Sequence, residues 1–210
     1  MATTIESIFC DKLEDANKSY VESLSNLNDM EPSKIQQNFN DTLKSVLNQY
    51  LKADFTWIGA TTSTPPVVDS YTGDSGLSVT FATIDAFIGV GKVAPETTFD
   101  ANLTVNIKAG LINLPATTTP PCAFAPPVIS LATGIPGIIT TDFPSAADGI
   151  DWSKPESFSE DNYRKIREKA YKQIFDCIIQ KFTPTPMPAT RTGDMAYVGT
   201  ATVTQLYYDT

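Results

Sequence analysis

Residues 157–182 read SFSEDNYRKIREKAYKQIFDCIIQKF, and this stretch decides the helical half of the fold. Tyr163, Ile166, Ala170, Ile174, Cys177 or Ile178, and Phe182 recur at steps of three or four, which makes one apolar stripe of a helix. Arg164, Lys165, Glu168, Lys169 and Lys172 fall on the opposite, water-facing side. Ser157 and Glu160 have the spacing of a capping box. Glu160 and Asp161 sit where the positive end of the helix dipole favours acids. Pro184, Pro186 and Pro188 end the run, because each removes a backbone donor.

Downstream, Met195–Tyr208 is rich in Thr, Val and Tyr and reads as one or two terminal strands behind a Gly193-Asp194 turn. At the other end, Thr4–Lys52 carries two helical stripes. Ile5, Ile8, Leu13, Ala16, Tyr20, Leu24 and Leu27 form the first, and Ile35, Phe39, Leu43, Val46 or Leu47, and Tyr50 form the second. Asn28, Asp29 and Pro32 interrupt them, and Ser33 with Gln36 suggests a capping box. An antiparallel helix pair is expected, although one long kinked helix fits the same pattern.

Ala53–Ser153 has a different composition, with Lys92 and Lys108 its only basic residues and frequent Pro-Pro, Tyr-Thr-Gly-Asp and Pro-Gly punctuation. Phe99, Ala101, Leu103, Val105, Ile107, Ala109 and Leu111 alternate with polar residues as a half-buried strand would. Phe99, Leu103, Ile107 and Leu111 also suit a helix. Leu77–Val90 is ambiguous in the same way. The expected fold is α+β, with an N-terminal helix pair and a C-terminal helix packed beside an irregular, mostly antiparallel β region. Its compositional regions are 1–52, 53–156 and 157–210, integrated in one domain.

Hydrophobic residues make up 41% of the chain, enough for a substantial core, while charged residues are only 19%. A net charge of -9 repels phosphate backbones, so sequence-specific nucleic-acid binding is not expected. Met1–Cys10 has no basic region followed by an apolar run, and no stretch approaches eighteen apolar residues, so neither a secretory signal nor a membrane span is expected. Cys10, Cys122 and Cys177 are sparse and far apart, which fits buried thiols in a reducing compartment. The Asn-x-Ser/Thr triplets at Asn17, Asn40 and Asn102 read as chance matches.

The chain has no histidine, which removes Ser-His-Asp and Cys-His mechanisms and histidine-based metal sites. No phosphate-binding glycine loop occurs, since Gly89-Val90-Gly91-Lys92 is too short to be one. Carboxylate chemistry remains, with Asp69, Asp74, Glu96, Asp142, Asp148 and Asp151 as candidates and Trp57, Tyr71 and Trp152 available to stack on sugar. Acids beside Gly, Ser and Pro are more simply turn formers, and the same holds for Asp148–Asp151 and Asp69–Asp74 as calcium loops. Cys177 lies on an apolar stripe, and Cys122, in a loop, is the thiol to test for reactivity. Trp57 and Trp152 are expected as core anchors. No catalytic, cofactor or metal residue is assigned.

A charge-poor region spliced between amphipathic helices points instead to a non-catalytic subunit that packs against copies of itself or other proteins. Phe81, Phe87, Phe99, Phe124 and Phe143 are its candidate interface aromatics. Tyr197, Val203 and Tyr207 join them on a tail expected to pair with a neighbour's sheet edge. Phe55-Thr56-Trp57-Ile58-Gly59, the Asp69–Gly76 turn, the Glu160–Phe182 helix and Val198-Gly199-Thr200-Ala201-Thr202-Val203 together resemble virion structural proteins of large tailed bacteriophages. That resemblance implies a capsid-associated, neck, tail or baseplate position. It also implies synthesis in the host cytoplasm, partners among homo-oligomer copies and other virion proteins, and no family active site. The alternatives from other classes are a carbohydrate- or host-surface-binding module and a carboxylate hydrolase.

Overall fold

Thr4 starts the first helix by accepting the Ser7 N–H on its side chain, and α1 spans Ile5–Ser23. A single 3₁₀ turn, Leu27–Asp29, follows, and Asn26 caps it by accepting the Asn28 N–H. α2 spans Pro32–Tyr50. The computed structural model describes residues 4–63, 65–72, 77–90, 95–112, 122–124, 160–180, 182, 186–191 and 197–210.

α1 and α2 are antiparallel, as their polar contacts demonstrate. Lys12 donates to Gln49, Asn38 donates to Asn17, and the Glu31 N–H donates to the Tyr20 hydroxyl, so rising numbers on one helix meet falling numbers on the other. The Ser33–Gln36 capping box does not form. Glu31 is the N-cap and Pro32 occupies the first turn, where its missing N–H has no cost, so the helix starts ahead of Ser33. The helical segment ends at Tyr50 rather than Lys52, and Leu51 passes straight into a strand while its N–H still bonds the Leu47 carbonyl.

The strands are β1 (Leu51–Thr61), β2 (Val68–Thr72), β3 (Leu77–Ser78), β4 (Cys122–Phe124), β5 (Pro186–Arg191) and β6 (Tyr197–Tyr208). They form one antiparallel sheet in the order β2-β1-β6-β5-β4, with β3 pairing the start of β1. β1 and β6 pair along their whole length. The register slips between Asp54 and Phe55, which leaves Thr204 as an extra residue on β6. This bulge reverses the alternation, so Ala201 and Val203 before it and Leu206 after it all point into the core.

The terminal segment is therefore the centre of the chain's own sheet, and the expectation that it pairs with a neighbour's edge is corrected. β5 was not expected either. Pro186 and Pro188 are two residues apart, so their missing donors lie on one edge of the strand and the other edge remains free to pair with β6.

α3 spans Pro95–Ile112 and α4 spans Glu160–Gln180. The ambiguous 99–111 stretch is thus helical, and 77–90 is neither helix nor full strand. Beyond Ser78 it runs irregularly and buries Val79, Phe81, Ile84 and Ala86. The Ser157 capping box and the Gly193-Asp194 turn lie outside the described residues.

One hydrophobic cluster joins α1, α2, β1, the 79–86 segment, Leu103 of α3, α4 and β6. Phe9 is its hub, with its ring edge-to-face with Phe39 at 5.3 Å, Tyr171 at 4.9 Å and Phe175 at 5.5 Å. The first stripe of α1 is buried only as far as Leu13, and Leu27 is exposed. The fold is α+β, with helices from both ends of the chain on one face of an antiparallel sheet.

Candidate interaction surface

Alternate residues of β1 point to opposite faces. Leu51, Ala53, Phe55 and Trp57 enter the core, so Thr56, Ile58 and Ala60 face outward. Register continues these positions as rows of paired residues across four strands. Val68, Ala60, Val198 and Thr190 form one row, Ser70, Ile58, Thr200 and Pro188 the next, and Thr72, Thr56, Thr202 and Pro186 the third. None of these twelve positions carries a charge. Ile58 in the middle row is 58% exposed, and Val198 and Val68 in the first row are 58% and 68% exposed, so the apolar residues of the lattice are open. The next rows bring Asp54 opposite Gln205 and Lys52 opposite Tyr207, where Lys52 donates to Ser78 at 2.7 Å.

The other side of the same strands explains how two central strands come so close. Gly59 pairs with Gly199 on the core face. The Trp57 ring folds over Gly59, where a Cβ would collide with it, and a Cβ on Gly199 would collide with the Ile58 backbone carbonyl. Tyr197 closes the cover by meeting Trp57 edge-on at 6.0 Å. Gly59 is required by this aromatic lid, and Gly199 by the close approach of the β1 backbone.

A second polar feature surrounds the irregular 79–90 segment, whose backbone groups are satisfied by asparagine amides. Asn48 accepts the Phe81 N–H at 2.7 Å and donates to the Phe81 carbonyl at 3.2 Å. Asn40 accepts the Ala86 N–H and donates to Asp85. From α3, Asn102 donates to the carbonyls of Ala86 and Ile88, and Asn106 donates to that of Asp85. These residues escaped the sequence reading, although their spacings (40 with 48, 102 with 106) put each pair on one helix side next to an apolar stripe. The Asn40 and Asn102 amides of two glycosylation-like triplets are committed to this clamp. Beside it runs an open groove of about 350 Å³ lined by Gln36, Asn40, Asp41, Thr83, Asp85 and Ile88 among others.

α4 is tied to α1 by an ionic clasp. Arg164 pairs with Asp11, Glu14 and Glu168, and Arg167 pairs with Glu14. Arg164, expected to face water, instead bridges two helices, and its bond to Asp11 holds it still more firmly protonated. Cys10 is buried beneath the clasp, and its thiol donates to Glu14 at 3.3 Å. Burial, then the Glu14 carboxylate, pushes that thiol up to about 12, so it stays protonated and unreactive at neutral pH. Cys177 is also buried.

The expected interface residues are scattered. Phe81 and Val203 are each 2% exposed in the chain's own core and offer no surface. Phe87, Phe99 and Tyr197 are partly buried against that core. Tyr207 falls on the outward sheet face, opposite Lys52. Phe124 is placed by its pairing with Ala189, and Phe143 lies outside the described residues. Of the candidate carboxylates, Asp69 sits on β2 and Glu96 on α3. Asp74, Asp142, Asp148 and Asp151 lie outside the described residues, as does Trp152. Among the described residues no His, Cys, Asp or Glu cluster has the makings of a metal site, and no helix is long and apolar enough to cross a membrane. No family model, no curated protein and no solved structure matches the chain.

Proposed function

We propose that this chain is a non-catalytic structural subunit of a larger assembly and that the outward face of its sheet is a surface it contributes. The observation that carries this reading is the uncharged lattice of three rows on four strands, with Ile58 exposed in the middle row and Val68 and Val198 in the first. A sheet face that meets only water normally alternates its buried residues with charged and strongly polar ones, whereas the centre of a protein interface is depleted in charge. The likeness of the Phe55–Gly59, Glu160–Phe182 and Val198–Val203 segments to tailed-phage virion proteins supports a capsid-associated, neck, tail or baseplate assembly. In that setting the partners are further copies and other virion proteins, and the chain is made in the host cytoplasm.

The test is the absolute mass of the purified chain across a concentration series, by light scattering after gel filtration. A defined oligomer or a growing polymer is expected. A monomer at every concentration that also fails to join any mixture of the other virion proteins overturns the reading.

The groove beside Asn40 and Asp85 favours a second reading, a carbohydrate-binding module, because amides and carboxylates are the groups that bond sugar hydroxyls. Calorimetric titration with a panel of glycans separates the two. Saturable binding lost in Asp85→Ala selects the module, and a flat titration removes it.

A further inference from the structure

We infer that the outward sheet face takes a second copy of this chain, the two sheets packing face to face about a two-fold axis. The inference rests on the assembly reading above and adds the identity of the occupant. Charge is the first argument. At a net -9, two copies repel each other over most of their surfaces, and the like-charge cost falls where neither surface carries charge. The lattice running from Val68 to Thr190 in one direction and from Ala60 to Thr56 in the other is such a region. The twelve positions present no carboxylate to a basic partner, and the nearest one on this face, Asp54, stands in the next row opposite Gln205.

The edges of the sheet supply the second argument. Copies of a β protein can also join edge to edge, through unpaired strand backbones. Among the described residues both outer strands are short: β2 has five residues and β4 has three. Prolines flank them in sequence, with Pro65 and Pro66 before β2, Pro120 and Pro121 before β4, and Pro126 and Pro127 after it. Short, proline-flanked edges discourage strand addition, which leaves the face as the surface through which sheets can meet.

Size and symmetry agree. Each residue of a sheet covers roughly 16 Å² of face, from a rise of about 3.3 Å and a strand spacing of about 4.8 Å. β1, β2, β5 and β6, with 11, 5, 6 and 12 residues, therefore present on the order of 500 Å² per copy, so a pairing that extends past the uncharged rows to those of Asp54 and Lys52 buries about 1,000 Å², the lower bound for a specific interface. A two-fold contact requires a self-complementary patch, and the exposed Ile58, Val68 and Val198 meet their own counterparts while the hydroxyls of Thr56, Ser70, Thr200 and Thr202 bond across the contact or to interfacial water. Aligned sheets about 10 Å apart then form a sandwich with the helices of each copy on the outside.

The experiment is sedimentation equilibrium on the full chain and on Ile58→Glu, Val198→Glu and, as a control on the far side of α3, Val105→Glu, which replaces a side chain 65% exposed. Circular dichroism melts verify that each variant folds, and two face variants on different strands guard against the loss of one. The expected result is reversible self-association, weakened roughly tenfold or more by either face substitution, because two like charges are brought together, and unchanged in Val105→Glu. Self-association that survives both face substitutions overturns the face-to-face pairing and leaves the assembly reading standing. A wild-type chain that is monomeric throughout, yet joins the other virion proteins through this face, also overturns the second copy as occupant while the assembly reading survives.

Discussion

Along β1 the core face carries Leu51, Ala53, Phe55 and Trp57, and the outward face carries Lys52, Asp54, Thr56, Ile58 and Ala60. The first set is almost wholly shielded by helices of the same chain, and Phe55 has no exposed surface at all. The second set begins with two charges and then becomes apolar or neutral as the strand moves away from α2. Near Ile58 one face is apolar and covered, while the other is uncharged and, among the described residues, uncovered. The contrast teaches that alternation along a strand identifies which face belongs to the core but not whether the other face belongs to water. The composition of whole rows across neighbouring strands answers that second question.

The largest expected effect lies on the core face. Phe55→Ala removes a fully buried ring from the junction of helices and sheet and is expected to cost about 3–5 kcal/mol, read from the shift in urea midpoint at constant slope. If Phe55→Ala cost no more than a surface substitution, the core would not lie on this face and the comparison would collapse. Next comes Gly199→Ala. Its added Cβ meets the Ile58 carbonyl, which is backbone and cannot swing aside, so a loss of about 1–3 kcal/mol is expected. Because the damage arises between β1 and β6, it should also disturb the outward face, and hydrogen exchange of Thr200 and Thr202 should quicken.

A smaller effect tests how the core face responds to pH. The buried Tyr208 hydroxyl donates to the Phe175 carbonyl at 2.9 Å, and burial raises its pKa well above the usual 10.0. Tyr171 and Cys10 are likewise pushed up, each to about 12 and each chiefly by burial. The folded state holds these protons more tightly than the unfolded chain does. The stability they contribute is therefore complete below pH 9 and is lost as pH rises through 9 to 12. Tyr208→Phe should cost about 1 kcal/mol at neutral pH, for one hydrogen bond, and should make the alkaline decline shallower. An equally steep decline in the variant would show that Tyr208 takes no part in it.

Much of the core face could be read from the sequence, and the reason is periodicity. Phe39, Leu43, Val46 and Leu47 on α2, and Ile166, Ala170, Ile174 and Ile178 on α4, recur at helical spacing and are buried as that spacing predicts. The 99–111 stretch was ambiguous because Phe99, Leu103 and Ile107 satisfy both periods. Val105 separates them: a strand would put it beside Leu103, yet Leu103 is fully buried and Val105 is 65% exposed, as on a helix. The 77–90 segment fits both periods as well, through Leu77, Val79 and Phe81 or through Leu77, Phe81, Ile84 and Ile88, and beyond Ser78 it follows neither, since its backbone is satisfied by Asn40, Asn48, Asn102 and Asn106 rather than by a regular ladder. β5 was hidden by its prolines. The outward lattice could not be read at all, because it exists only once register places Val68, Ala60 and Val198 in one row.

The smallest stability effect belongs to that lattice, and there a near-zero result is the informative one. Ile58→Thr keeps a β-branched side chain, removes apolar surface that is 58% exposed in the isolated chain, and matches the threonines around it. If the outward face is open in the single chain, little burial is lost, and the midpoint measured at the lowest usable protein concentration should move by no more than about 0.5 kcal/mol. At high concentration the result should differ. Self-association through this face stabilises the folded chain by mass action, so the wild type should gain stability with concentration and Ile58→Thr should gain less. Measuring both proteins at both concentrations separates a face that is merely tolerated from one that is used. Equal gains would mean that Ile58 lies outside any contact, and a loss of several kcal/mol at low concentration would mean that the chain's own residues already cover it.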